Sequence, residues 1–321
     1  PWTPPDPSLA VGPKHVIQTV NMELAFFNKQ TGVLEFQQRL DSTGNPGFFE
    51  QLGSGNFCFD PKCFYDHYSQ RYFMLALEVY GSTDEAWITI AISDDDDPHG
   101  VWYKYRTWAV VQNDSSIYWV DYPGLGFDAD GVYVTGNLFR LNANGFGGVL
   151  FRSFEIAPLL SGSTATYADI RDSSGASVQV AQCFGDFESP LFVSVENSTQ
   201  LLIQAIADPF TNPVLISETV DVPYFADPGD APNPGGDLWV VGRRIMNAHL
   251  RDGKLWTCHS VETDTEDRSL ARWYEIEAGQ WPNGPAPELL QSGEVDMGPG
   301  DHTFFPAIYC NKFGNTALVF G

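Results

Sequence analysis

Asp6, Asp60, Asp121, Glu188 and His302 share one sequence context: each sits just before a residue that opens a short strand. Asn247 and Arg243 occupy a related position further along the chain. Carboxylates that face one axis repel one another and need a proton, water or a cation between them. Oxygen ligands of this kind suit a hard divalent ion such as Ca²⁺. A second acidic group is the run Asp94, Asp95, Asp96 and Asp97, four adjacent carboxylates whose repulsion a cation would relieve. Asp128-Ala129-Asp130-Gly131 imitates the opening of a Ca²⁺ loop without the later Glu, and Asp264, Glu266 and Asp267 form another acidic turn. The plainer account is that such Asp residues cap their own turns through neighbouring backbone.

Two opposed carboxylates about 5–10 Å apart can hydrolyse a glycosidic bond. Asp60 and Asp121, with His302 as a base, would be the catalytic candidates. A lyase would draw on His302 or His249. No G-x-S-x-G, H-E-x-x-H, C-x-x-C pair or P-loop occurs, so no nucleophile, zincin or nucleotide motif competes.

These residues depend on the elements that carry them. Helical periodicity is nearly missing; RSLARWYEIEAG is the one helical candidate, and RWYEI within it alternates like a strand. Elsewhere short β-branched and aromatic runs are broken by Gly, Asp, Asn or Pro, as in HVIQTVN, RYFMLALEV, AWITIAIS and GVYVTGNLF. A repeat organises them: a short strand, a polar turn and a longer apolar strand. Aligned on the strand-initial residue, the units start at Pro7, Pro61, Pro123, Pro190, Asn247 and Pro306. The intervals each hold one four-stranded blade of ~40–50 residues plus longer loops. Pro at the first position of a strand costs least, because its missing N–H lies outside the ladder. The pattern predicts an all-β fold: a single β-propeller domain over residues 1–321, with six blade units visible and six or seven blades in the ring. The second blade reads PKCFYD, RYFMLALEV, AWITIAIS, VWYKYRTWA; the first reads PSLAVG, HVIQTVN, ELAFFNK, VLEFQQRL. The fourth and fifth units are degraded. The sixth stops at ALVFG after two strands, which predicts completion by later residues of a longer chain or by another chain.

The units PPDPSLAVGPKHVIQ, FDPKCFYDHYSQRY, DYPGLGFDADGVYVTGNLF and DHTFFPAIYCNKFGNTALVFG resemble the secreted, sialidase-like (Asp-box-type) β-propeller family, mostly uncharacterised proteins of bacterial surfaces. The resemblance spans nearly the whole chain and implies a seven-bladed propeller. Ser93 to Trp102, SDDDDPHGVW, is similar to the family's Asp-box turn, in which Ser, Asp, Gly and Trp staple an outer hairpin, although this turn is longer. A sialidase proper needs an arginine triad, and only Arg243 and Arg244 lie on an expected inner strand.

Composition limits the partners. The chain has 321 residues, with 17 Lys+Arg against 41 Asp+Glu and a net charge of −24. Such a surface repels nucleic acid and anionic lipid. No apolar run reaches the ~18 residues of a membrane span. Few charged residues (18%) beside plentiful aromatic ones (14%) give a secreted or cell-surface balance. The opening PWTPPDPSLAVG carries no leader and reads as a mature or excised chain. Asn113 and Asn197 head N-glycosylation sequons. Five cysteines leave at least one unpaired; Cys58 and Cys63 could close a short loop, or all five could be buried small hydrophobes. The expected function is a non-catalytic extracellular structural or adhesive module that self-associates or joins neighbouring domains in a surface fibre. The alternatives are a polysaccharide-active hydrolase or lyase, and a glycan-binding lectin, with the site at the channel mouth.

Overall fold

The computed structural model describes residues 4–44, 46–113, 116–173, 175–263 and 266–321. They form an all-β structure; among them the only α-helix is the five-residue Ile156–Leu160. The chain divides into two compact units, Pro1–Leu125 with Ala129–Tyr167, and Gly126–Asp128 with Ala168–Gly321.

In the first unit, β1 (Ser8–Val11), β2 (His15–Val20), β3 (Glu23–Asn28) and β4 (Leu34–Arg39) form an antiparallel sheet in sequential order. A second sheet has the same plan: β5 (Cys58–Asp66), β6 (Arg71–Tyr80), β7 (Glu85–Ser93) and β8 (Trp102–Trp108). These are the strands expected for the first two blades. In β2 the alternation is clean, with His15, Ile17 and Thr19 buried and Val16, Gln18 and Val20 partly exposed. β6 is buried on both faces from Tyr72 to Glu78, as a central strand between packed layers must be. Ile17, Leu24, Phe26, Phe49, Tyr72 and Met74 share one core. Gly12 is required there. A Cβ at this position would lie 2.1 Å from the Tyr72 hydroxyl, which donates to the His15 carbonyl at 2.9 Å.

Glu78 forms the polar centre of the second sheet. Arg106 donates to it twice, at 3.0 and 2.9 Å, while Tyr80 and Thr89 each donate at 2.7 Å. The Arg106 guanidinium also lies 4.0 Å from the Trp87 ring centroid. The unit continues with β9 (Val111–Asn113), β10 (Ser116–Phe127), β11 (Gly131–Arg140) and β12 (Phe146–Glu155); β9 pairs with β10 and β11 with β12, all antiparallel.

β13 (Tyr167–Asp172) precedes the second unit's two four-stranded sets. The first is β14 (Gln179–Phe184), β15 (Leu191–Asn197), β16 (Gln200–Ala207) and β17 (Val214–Asp221); the second is β18 (Ile245–Arg251), β19 (Lys254–Thr263), β20 (Glu266–Glu277) and β21 (Glu288–Val295). Within each set neighbours are antiparallel, and β14 joins β18 in parallel from Ala181↔Ala248 to Phe184↔Arg251. The helical candidate RSLARWYEIEAG is strand, inside β20. The strand expected at Pro190 is β15, which opens at Leu191; β14, before that proline, pairs with it. β22 (Ala307–Cys310) and β23 (Thr316–Val319) form a two-stranded hairpin.

The repeat has a backbone signature. Asp6, Asp60, Tyr122 and Phe305 have φ of 42°, 47°, 52° and 48°, and each directly precedes the aligned proline. Left-handed φ is uncommon outside glycine, so its recurrence at four equivalent positions marks one shared local structure. In the second unit of the repeat it coincides with a register shift between Phe59 and Lys62, a bulge that re-aims the flanking side chains. The degraded fourth and fifth units lack this step at Ser189 and Met246.

Candidate functional site

Two of the predicted carboxylates meet. Asp6 and Asp60, both on the left-handed step before a proline, are hydrogen-bonded to each other. Asn21, between β2 and β3, ties them: its Nδ2 donates to Asp6 Oδ2 at 2.7 Å, and its Oδ1 accepts the Asp60 N–H at 2.7 Å. Burial, then the charge of Asp60, raises the Asp6 carboxyl to about 6. Burial also raises Asp60, while the Lys62 ammonium, Asn21 and the Tyr122 N–H oppose the shift. The contact with Asp6 favours the charged form of Asp60 and the neutral form of Asp6. Lys62 is drawn down by burial, against the pull of Asp60 and Asp6. Such a pair can hold and release one proton near neutral pH.

The remaining nominated residues are placed differently. Asp121 lies on β10, next to the Tyr122 that donates to Asp60. Glu188, in the second unit, is exposed and accepts from Asn283 Nδ2 at 2.6 Å. His302 Nδ1 accepts the Ser269 N–H at 3.2 Å. Asn247 clamps β18 to β22: its Nδ2 donates to the Ile308 carbonyl at 2.9 Å and its Oδ1 accepts the Ile308 N–H at 3.1 Å. Arg243 Nη1 donates to Ser198 Oγ at 3.2 Å. His249, the other expected base, lies buried with Nε2 2.9 Å from the Cys310 carbonyl oxygen, and burial lowers it to about 4.

The acidic turn is built by its own backbone. Asp94 Oδ1 accepts the Val101 N–H at 2.9 Å, Asp95 Oδ1 the Asp97 N–H at 2.8 Å, and Asp97 Oδ1 the His99 N–H at 3.0 Å. Ser93 Oγ donates to the Asp95 carbonyl at 2.7 Å and Trp102 Nε1 to the Pro98 carbonyl at 2.8 Å. Asp96 lies between them in sequence. Ser93, Asp94 and Trp102 thus staple the hairpin, and a Cβ at Gly100 would lie 2.7 Å from Asp94 Oδ1.

A histidine cluster beside this turn escaped the sequence reading. His99 Nδ1 is 2.9 Å from Asp97 Oδ1, and its Nε2 is 3.8 Å from Glu35 Oε2. The same Glu35 oxygen is 3.2 Å from His15 Nε2. The two rings stand edge to face, 5.0 Å apart. His15 Nδ1 is buried without a hydrogen-bond partner. His99 also lines a cavity of about 280 Å³ with Phe26, Phe36, Phe48, Trp102 and Lys104. A larger cavity, about 810 Å³, lies in the second unit and is lined by Trp256, Trp273, Phe313, Arg251, Lys254 and Glu275 among others.

The predicted Cys58–Cys63 bridge does not form. All five cysteines are free, buried thiols. Both residues lie on β5, where five strand steps cover roughly 16 Å, far beyond the ~7 Å a disulfide can span. Asn197 is exposed at the β15–β16 turn, and its Oδ1 accepts the Thr199 N–H at 2.9 Å. The Asn113 side chain, residues 114–115 and Asp264 lie outside the described residues.

No protein-family model matches the chain, and no curated protein matches it. Solved structures similar to it are β-propellers. An engineered GH43 glycoside hydrolase with endo-xylanase and exo-arabinofuranosidase activity is 11% identical, covering 92% of this chain at a TM-score of 0.39. This chain spans 56% of that structure's length. The GH43 endo-arabinanase from Bacillus licheniformis is 12% identical over 97% of this chain and 96% of its own, at 0.36. A subtype N11 neuraminidase-like protein (A/flat-faced bat/Peru) is 8% identical over 92% and 74%, at 0.39.

Proposed function

We propose that the chain is a non-catalytic, extracellular β-propeller module that works by adhesion and assembly. The observation that carries this reading is the outer edge of β23. That strand pairs with β22 alone among the described strands, and the hairpin around it exposes Phe313 (76%), Val319 (66%) and Phe320. An open, apolar strand edge is a template for a further strand, from later residues of a longer chain or from another chain. The use of the carboxylates supports the same reading: Asp94, Asp95 and Asp97 cap their own turn, and Asn21 ties the Asp6 side chain to the Asp60 backbone. The exposed Asn197 sequon suits a secreted glycoprotein, and Ca²⁺ at the acidic turn remains part of the proposal. Light scattering and electron microscopy of the purified chain test it. The wild type assembles, and Thr316→Pro, which removes an outward N–H of β23, blocks the assembly. A wild type that stays a monodisperse monomer would refute it.

A second reading is glycan binding in the second unit's cavity. Trp256 and Trp273 stand 6.3 Å apart beside Arg251 and the Lys254–Glu275 ion pair, and aromatic faces with a few polar groups suit a sugar ring. A glycan array that lights up with wild type and goes dark with Trp273→Ala supports it; equal signals from both would end it.

A further inference from the structure

We propose that His15, His99 and Glu35 form a binding site for a borderline transition-metal ion of the Zn²⁺ class, with Asp97 orienting His99. The donors come from separate elements of the first unit. His15 opens β2, Glu35 lies on β4, and Asp97 and His99 sit in the β7–β8 turn. One ligand atom each from His15, Asp97 and His99 lies within 4.8 Å of the others.

Both distances from Glu35 approach those of one tetrahedral ion. Ligands bound at ~2.0–2.1 Å on tetrahedral zinc lie about 3.3 Å from each other. Glu35 Oε2 is 3.2 Å from His15 Nε2 and 3.8 Å from His99 Nε2. Small side-chain shifts close the second gap. The far nitrogen of His99 faces a carboxylate, Asp97 Oδ1, at 2.9 Å. That carboxylate–histidine arrangement fixes the tautomer that leaves Nε2 free to ligate. Asp97 is itself held by the His99 N–H, so the turn pre-sets the ring.

Burial fixes the His15 ring. His15 is nine-tenths buried, at 9% exposure, and its Nδ1 has no hydrogen-bond partner. An imidazole held this way gains little from hydrogen bonding, and its one engaged nitrogen is the one that meets Glu35. Two imidazole nitrogens and one carboxylate select borderline ions over Ca²⁺, which prefers an all-oxygen shell. The site joins the first sheet to the outer turn of the second, so a bound ion cross-links them.

The test uses the whole chain, stripped with a chelator and titrated with Zn²⁺ by calorimetry and with Co²⁺ by visible absorption. The expected result is one ion per chain and tetrahedral Co²⁺ bands. His99→Asn and Glu35→Gln should each lower the affinity by about tenfold or more, and Glu155→Gln, an exposed carboxylate at the end of β12 outside the donor set, should leave it unchanged. His15 is buried, so the variants are placed at the exposed His99 and Glu35, and circular dichroism of the metal-free forms checks that they fold. A wild type that binds neither ion overturns the proposal. So does Zn²⁺ binding that survives both substitutions, or that Glu155→Gln lowers equally.

Discussion

Asn21 bridges Asp6 and Asp60, the residues before the prolines of two successive repeats: its Nδ2 donates to the Asp6 carboxylate at 2.7 Å and its Oδ1 accepts the Asp60 N–H at 2.7 Å. Burial and the charge of Asp60 raise the Asp6 carboxyl, so Asp6 is the partner that protonates first as pH falls. Its folded value of about 6 lies above the ordinary 3.8. Between those values the folded chain binds the proton more tightly than the unfolded one, so the contribution of Asp6 is fully present below pH 3.8 and lost as pH rises through 6. Asp6→Asn removes that loss while keeping an oxygen for Asn21. Thermal unfolding should show the variant melting above wild type at pH 7.5 and level with it at pH 4. A variant less stable than wild type at pH 7.5 would show that the pair is favourable when ionised.

His249 and His259 set the opposite slope. Burial lowers them to about 4 and about 3, from 6.5. Their stability is intact above pH 6.5 and is lost as pH falls towards 4, because the unfolded chain takes up protons that the folded chain refuses. Denaturant midpoints measured across pH 7 to 4 should fall, and His249→Gln should flatten part of the decline. An unchanged decline in that variant would assign it elsewhere.

Glu78 is fully buried and accepts from Arg106, Tyr80 and Thr89. Glu78→Ala leaves the Arg106 charge without its partner in the core, at a cost of about 3–5 kcal/mol. Replacing both, as in Glu78→Leu with Arg106→Met, should recover most of this, since a well-packed apolar pair is often as stable as a buried ion pair. Urea unfolding of the three proteins decides it. A double variant no better than Glu78→Ala would mean that Tyr80 and Thr89, not the charge, dominate.

Much of the architecture was legible because local rules agreed. HVIQTV alternates apolar and polar residues, and β2 buries the expected face. The repeat alignment found Asp6 and Asp60 through their prolines, and the structure adds the reason: one left-handed step before each. β14 was missed because VQVAQCF does not alternate; it is buried on both faces, with Gln179 inside. RSLARWYEIEAG mimicked a helix because Arg268 and Arg272 look solvent-bound, whereas both are buried, on Asp296 and Glu294. Lys62 is acted on by both Asp60 and Asp6, which the segment PKCFYD alone does not encode. His15 and His99 are far apart in sequence and meet through packing, which no local pattern encodes.

The five unbridged cysteines have a consequence for where the chain can fold. Burial raises the thiols of Cys58, Cys63, Cys183 and Cys258, so they resist forming thiolate, the nucleophile that attacks oxidants and disulfides. The fold is therefore indifferent to redox state: it draws no stability from a crosslink, and reductant has nothing to cleave. Unfolding curves with and without dithiothreitol should superimpose, and the same native structure should be reached in a reducing cytoplasm as in an oxidising extracellular space.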